Sequence, residues 1–400
     1  MGRPPKIKAS EDIKVSSNAS VKDDLALLIQ KNLSKEKELD ETSFVGFLDE
    51  PEEAPTTVTE WISTGNSLLD LAISNRPNGG LPVGKLVEFT GLEASGKSLL
   101  AAHVLAETQK RGGIAVYIDT ESAFNPDFMN AIGLNMENML YMQIETIEDI
   151  FQSIENIITS VRNSSKDRLV TIVVDSLAGA STKIEMEATY DKDGYATTKA
   201  ILLSKAMRKI TNLIAKQKIL VIFTNQLRMK MDAMAFGDKF TTSGGKALGF
   251  HSSVRIRLSS VGKIKKGDQD VMGNRIKAQI IKNRIGPPFR TAEFEIYYDS
   301  GIDNFGNWIT TLKDCNIIKQ SGSSYSFDLP NADGTISPEN EGIKFMAKEF
   351  SDLITTRPEI KQYLYDCLCK QKIMVYRKPG EVRLDEDLRI DSKDTVGEEE

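Results

Sequence analysis

Between Trp61 and Gly301, short apolar runs alternate with longer amphipathic segments. "LVEFTG" precedes "SLLAAHVLAETQKRG", "IAVYID" precedes "IEDIFQSIENIITSVR", "LVTIVVDS" precedes "KAILLSKAMRKITNLIAKQ", and "ILVIFTN" closes the series. Runs of β-branched apolar residues this continuous predict strands buried on both faces, with the helical-period segments as their cover. The expected class is therefore α/β, a mostly parallel sheet with helices on both faces. Three later segments, "SVRIRLSS", "RIKAQIIKNRI" and "AEFEIYY", alternate at period two and predict antiparallel strands that extend the sheet. Beyond Gly301 the segments are shorter and mixed, with "IKFMAKEFSDLITT" as a helix candidate.

This patterning divides the chain into four parts: an arm over 1–60, a core over 61–301, a small α/β domain over 302–378 and an acidic tail over 379–400. The arm offers one amphipathic helix near "VKDDLALLIQKNL", then an acidic linker, "DEPEEAPTTVTE". One stretch fits neither period: "NQLRMKMDAMAFGDKFTTSGGKALGF", Asn225 to Phe250, directly after a buried strand.

Composition narrows the class. No apolar run approaches the roughly 18 residues that a membrane helix needs, and "MGRPPKIKASEDIK" lacks the apolar centre of a secretion signal, so no membrane partner and a cytoplasmic location are expected. Three cysteines form no metal-type pair of pairs, and two histidines, His103 and His251, argue against histidine-based triads or metal sites. The formal net charge is −6, but its distribution matters more. From Lys205 to Arg290 there are 19 Lys and Arg against 4 Asp and Glu, whereas Met1 to Glu60 carries 8 against 13 and Lys378 to Glu400 carries 4 against 9. A basic block between acidic ends, beside an aperiodic loop, points to a polyanionic partner.

"GLEASGKS" fits G-x-x-x-x-G-K-[ST] between a strand and a helix that starts near Lys97. Gly91, Leu92, Glu93, Ala94, Ser95, Gly96, Lys97, Ser98 and the following Leu99 form the expected phosphate-binding set. Glycines let backbone amides turn inward, Lys97 supplies charge to the β and γ oxygens, and the Ser98 hydroxyl is a Mg²⁺ ligand. Asp175 ends "LVTIVVDS", where a carboxylate can hold Mg²⁺ through water. Asp119 and Glu121 end "IAVYIDTES"; either can position the attacking water, from a strand read as adjacent to the P-loop, or cap the next helix.

Seven segments carry a more specific likeness: "WISTGNSLLDLAISNRPNGGLPVGKLVEFTGLEASGKSLL", "AVYIDTESAFNP", "IVVDSLAG", "SKAMRKI", "VIFTNQLRMK", "TTSGGKALGF" and "IIKNRIGPPFRTAEFEI". In that order, over about Trp61 to Ile302, they resemble the bacterial RecA family, as a phage recombinase or a divergent bacterial one would. The resemblance implies a RecA-like P-loop ATPase core using ATP and Mg²⁺. It implies that Lys97 and Ser98 bind phosphate and Mg²⁺, that Glu121 activates the attacking water, and that Asp175 is the second metal-side group. Phe128 stands where the family usually has a tyrosine against adenine. Gln226 would sense the γ-phosphate, and Lys282 and Arg284 would reach the neighbouring subunit's ATP, completing each site in trans within a filament.

The same resemblance implies a DNA surface. The loop from about Leu227 to Lys246 matches the family's second DNA loop, with Arg228, Gly244, Gly245 and Lys246 near the backbone and Phe236 as an apolar wedge. The first loop spans roughly Glu187 to Thr197; Ala196 and Thr197 replace Met-Gly there, so Tyr190 or Tyr195 are substitutes for its wedge. Ser204 and Arg208 match phosphate contacts, Phe250 a subunit contact and Lys277 a secondary DNA position, where Gln279 replaces a usual lysine. The implied partners are single-stranded DNA, homologous duplex DNA, further copies of this chain in a helical filament, and single-strand-binding and mediator proteins. The implied function is ATP-dependent homologous pairing and strand exchange, with binding largely independent of sequence and strongly salt-dependent. The alternatives are a hexameric helicase of the same superfamily and a filament that coats DNA without pairing it. If the acidic tail competes with DNA for the basic block at low Mg²⁺, deleting Leu384 to Glu400 speeds loading onto duplex DNA; an unchanged loading rate excludes the competition.

Overall fold

The computed structural model describes residues 24–35, 57–122, 124–165, 167–188, 195–229, 240–242, 246–267, 270–331 and 333–376. Most of the arm and the whole tail expected over 379–400 lie outside them. The chain divides into two compact units, Met1–Thr57 and Val58–Glu400. The first contains helix α1 (Asp24–Lys35), on the segment expected to be helical, with Leu25, Leu28 and Ile29 exposed.

The second unit opens with β1 (Trp61–Ile62), α2 (Ser67–Ser74) and β2 (Leu81–Pro82). Alternation follows: β3 (Leu86–Gly91), α3 (Lys97–Lys110), β4 (Ile114–Asp119), α4 (Pro126–Ala131), β5 (Met139–Gln143), α5 (Ile147–Ser164), β6 (Val170–Asp175), α6 (Lys183–Glu187), α7 (Tyr195–Lys216) and β7 (Leu220–Met229). Next come β8 (Phe240–Thr242), α8 (Lys246–His251), β9 (Val254–Lys266), β10 (Asp270–Asn283), β11 (Thr291–Tyr297) and β12 (Gly301–Asp303). The last elements are α9 (Gly306–Asp314), β13 (Lys319–Ser321), β14 (Ser324–Phe327), β15 (Ile343–Met346), α10 (Phe350–Thr356) and α11 (Pro358–Lys372). No helix among the described residues is long and apolar enough to cross a membrane.

The main sheet runs β12-β11-β10-β9-β3-β7-β6-β4-β5, with β8 beside β7. Strands β9, β3, β7, β6, β4 and β5 are mutually parallel, and β10 to β12 extend the sheet antiparallel; the period-two segment "SVRIRLSS", expected to be antiparallel, is β9, which runs parallel to β3 and antiparallel only to β10. Successive residues of the central strands feed opposite cores. Val87, Phe89, Ala115, Tyr117, Leu220 and Ile222 join the core on the α2 and α3 face. Leu86, Val116, Ile118, Val221 and Phe223 join the core under α5 and α7. Helix α5 shows why its segment is helical: Ile147, Ile150, Phe151, Ile154 and Ile158 fall on one stripe, and the Thr146 side chain caps the first turn through the Asp149 amide.

Two further expectations are corrected. The strand carrying Asp119 is not adjacent to the P-loop strand, because β7 and β6 lie between β3 and β4. Moreover, "IKFM" is not helical. Ile343 and Phe345 alternate inward with period two, so the segment pairs with β14, and helix α10 begins only at Phe350.

The core on the α3 face continues into the carboxyl-terminal elements through Trp308, Phe327, Phe350 and Leu364. His103 on α3 makes one of the joints: its Nε2 accepts the Ile302 amide at 3.0 Å. Burial, with Lys110 adding to it, pushes this imidazole down to about 4, so it is neutral at pH 7. An unfolded chain with an ordinary histidine binds the proton first as pH falls, so this contribution is complete above pH 6.5 and is lost toward pH 4. Wild type is expected to lose about 3 kcal/mol relative to His103→Gln across that window. Glutamine accepts the same bond without titrating. Parallel urea titrations of the two proteins check this; equal pH dependence excludes the His103 contribution.

Candidate active site and nucleic-acid interface

Strand β3 ends at Gly91, and the next five residues turn back into α3. Gly91 has no room for a side chain: a Cβ there would lie 2.2 Å from Ser95 Oγ and 2.6 Å from the Leu258 carbonyl oxygen. Ala94 and Gly96 hold φ values of 54° and 86°, and the loop delivers its chain to the amino end of a 14-residue helix with no side-chain cap. Free amides at such an end attract anions. Lys97 is buried, and its Nζ donates to the carbonyl oxygens of Gly91 at 3.1 Å and Leu92 at 2.8 Å. Burial lowers its pKa, while the charges of Asp175, Glu121 and Glu93 oppose the shift. Ser98 is partly exposed in the first turn of α3.

The two carboxylates after β4 separate by role. Asp119 is buried, and its Oδ1 accepts the amides of Glu121 at 2.9 Å and Ser122 at 2.8 Å, so it organises the turn. Glu121 is exposed, and its Oε1 accepts from Ser176 Oγ and, at 3.3 Å, from Gln226 Nε2. Of the two, Glu121 is the carboxylate that meets Gln226 at the end of β7. Gln226 stands directly opposite Gly91 in the β3–β7 register, which explains how a residue over a hundred positions away meets both the P-loop and Glu121. Asp175 ends β6 opposite Asp119.

These groups fit a nucleoside triphosphate with Mg²⁺. Glycine turns cradle phosphate, and Mg²⁺ keeps several waters and takes one or two carboxylates beside phosphate oxygens, so it needs no cage of acidic side chains. Consistently, no group of three or more His, Cys, Asp or Glu with metal-binding geometry occurs among the described residues. Phe128, on α4, is half-buried against the core, and its amide is capped by Asn125 at 3.2 Å.

A basic cluster lies at the other side of β3. Lys282 Nζ donates to the carbonyl oxygens of Gly249 at 2.7 Å and Phe250 at 2.8 Å, at the end of α8. Lys282 and Arg284 each lie 5.9 Å from the Phe250 ring centroid, and that ring is 67% exposed. Burial, Arg284 and Arg255 push the Lys282 ammonium down to about 8. Burial also lowers His251, as do Arg208, Lys282 and Arg284, which places Arg208 of α7 in the same electrostatic neighbourhood. Ser204 is half-buried one turn earlier on α7, and Lys277 is exposed farther along β10, opposite Glu293.

Part of the segment read as aperiodic falls into named elements. Strand β7 continues through Arg228 to Met229 and pairs antiparallel with β8: Leu227 with Thr242, Arg228 with Thr241, Met229 with Phe240. The β-branched and aromatic character of "FTT" supports a strand that a search for long periods misses. Phe236, Gly244, Gly245 and Tyr190 lie outside the described residues, as do the side chains of Arg228 and Lys246. The expected first loop ends earlier than Thr197, because α7 begins at Tyr195.

Several residues of this edge carry no motif. Glu88, fully buried on β3, accepts Arg255 Nε at 2.5 Å and Asn225 Nδ2 at 3.1 Å, tying the strand of the P-loop to the residue before Gln226 and to the basic cluster. Thr224 and Tyr117 donate to Asp175. A polar residue in an otherwise apolar buried run was the available sign for Glu88 and Thr224. Glu88→Gln would leave Arg255 without its counter-charge beside Lys282 and Arg284. The expected cost is about 3 kcal/mol in urea unfolding, most of it recovered in Glu88→Gln with Arg255→Met; a neutral single variant contradicts this.

Comparison with known proteins places these features together. The family model described as the RecA N-terminal domain matches residues 31–303. The chain is 40% identical over 274 residues to "Protein RecA" of Gluconobacter oxydans (strain 621H), covering 68% of this chain and 76% of that protein. To "Protein RecA" of Nostoc sp. (strain PCC 7120) it is 37% identical over 317 residues, covering 79% and 83%. To that of Chlorobium limicola (strain DSM 245) it is 41% identical over 266 residues, covering 66% and 73%.

Proposed function

The chain belongs to the RecA family of DNA recombination and repair proteins, and on that premise we propose a specific working cycle for it. The protein assembles as a helical filament on single-stranded DNA, pairs it with homologous duplex and hydrolyses ATP when DNA is bound. The observation that carries the reading is the placement of Gln226 opposite Gly91, with its amide on Glu121 and its strand running on into the β7–β8 hairpin. One residue thereby touches the P-loop strand, the proposed base and the proposed DNA loop.

Lys97 and the α3 amides hold the phosphates, Ser98 and Asp175 stand on the metal side, and Glu121 orients water. Mg²⁺ supplies the charge that offsets the triphosphate's own. Phe128 borders the adenine. Lys282, Arg284 and Phe250 belong to the face that meets the next subunit. The low affinity of Lys282 for its proton suits a lysine whose anionic partner arrives only on assembly. Arg208, Ser204, Arg228, Lys246, Gly244, Gly245 and Phe236 line the path of the primary strand, and Lys277 the path of a second.

The test is joint-molecule formation between circular single-stranded DNA and homologous linear duplex, with ATP and Mg²⁺. Wild type is expected to form joint molecules. Lys97→Ala is expected to lose them by at least about a hundredfold, together with its ATPase, since a P-loop lysine stabilises charge in the transition state. Pairing by Lys97→Ala at the wild-type level contradicts the nucleotide-gated cycle; forked duplex unwound by closed rings favours a helicase, and DNA coating without pairing favours a scaffold.

A further inference from the structure

The carboxyl edge of the sheet carries an aromatic group that the motif residues do not include. Tyr117 on β4 and Tyr141 on β5 are direct cross-strand neighbours, and their rings stack with centroids 6.5 Å apart and planes at 16°. Phe124 closes the group, edge-on to Tyr117 at 5.0 Å and tilted against Tyr141 at 5.1 Å. Each phenol ends on a strand-end carboxylate. Tyr117 donates to Asp175 Oδ2, and Tyr141 donates to Asp119 Oδ2 at 3.0 Å. The other oxygen of Asp175 accepts from Thr224 Oγ1 at 2.5 Å.

This arrangement does more than fill space. Tyr117 is buried, and its hydroxyl is committed to Asp175 Oδ2. Asp175 is held from both oxygens, which restricts it to one orientation while leaving lone pairs on each oxygen for water. Tyr117 and Tyr141 are neighbours in strand register and their rings stack. Tyr141 in turn holds Asp119, which fixes the amides of Glu121 and Ser122. Two branches leave one stacked pair: one reaches the metal-side carboxylate, and the other reaches the turn that presents Glu121.

We infer that Tyr117 and Tyr141 are positioning residues of the nucleotide site, fixing the Asp175 carboxylate for Mg²⁺·nucleotide and the Glu121 turn from the edge strand β5. The inference rests on Asp175 standing on the metal side of the site. Tyr117→Phe is the informative variant, because it keeps the ring and its stacking and removes only the donor. Partners of this kind tune metal affinity, whereas a residue that only packs would alter stability and leave metal affinity alone.

The experiment titrates Mg²⁺ against a fluorescent ATP analogue bound to the full chain, and repeats the nucleotide titration in EDTA. Tyr117→Phe is expected to raise the half-saturating Mg²⁺ about three- to tenfold and Thr224→Val by a similar factor, with a rise of about twofold for Tyr141→Phe. Affinity in EDTA is expected to stay unchanged. Asp175→Asn separates the two levels of the argument. If it shifts the Mg²⁺ curve and Tyr117→Phe does not, the positioning role is overturned and the metal-side reading stands. If Asp175→Asn causes no shift, both fall. Should Tyr117→Phe fail to fold, Thr224→Val decides, and an unshifted curve for it overturns the inference.

Discussion

The fold and the site both depend on the hydrogen-bond register of four buried parallel strands. In β3, β7, β6 and β4 the register sets Gly91 beside Gln226, Val174 beside Phe223, and Asp119 beside Asp175. All four parallel strands leave the apolar interior at one edge, so their polar end residues emerge side by side there. A slip of one residue in any strand would exchange the faces of its side chains. It would drive Val221 and Phe223 out of one core and turn Asp175 away from Tyr117 and Thr224. The apolar packing on both faces is thus what fixes the chemistry at the rim.

The same edge pairs its strand carboxylates. Glu88 is matched to Arg255 and Asn225, Asp119 to two amides and a phenol, and Asp175 to two hydroxyls. Buried charges without partners are costly, so this pairing is a condition of burying them. The pairing also gives the edge continuity. From the P-loop strand it runs through Glu88 to Arg255 and the basic cluster around Lys282. Through Gln226 it runs to Glu121 and into the hairpin. These are two physical routes from the P-loop strand, one toward the basic cluster and one toward the β7–β8 hairpin.

Much of this was legible in the sequence because the informative residues are contiguous. The P-loop lies within eight positions and the strand-end acids follow their apolar runs, so period and motif were sufficient to find them. Contacts between strands were not legible in the same way. Nothing in "IAVYIDTES" says that two strands separate it from the P-loop, nor that Asp119 organises a turn while Glu121 meets Ser176 and Gln226. Tyr117 read as one more apolar position, since its hydroxyl acquires meaning only from Asp175 on the next strand. "IKFM" was misread because four residues are too few to distinguish a strand from the start of a helix, and its partner "SYSF" settles the matter. The hairpin after Gln226 was hidden for a similar reason, because its pairing is between short segments eleven or more residues apart.

The central claim is that Gln226 joins the state of the nucleotide to the DNA loop that follows it. The most direct test is the affinity for a labelled single strand with and without a non-hydrolysable ATP analogue, in wild type and in Gln226→Ala. The account predicts that the analogue tightens wild-type binding, and that Gln226→Ala binds the analogue normally while its DNA affinity no longer responds. A Gln226→Ala protein whose DNA affinity responds to the analogue as fully as wild type would contradict it.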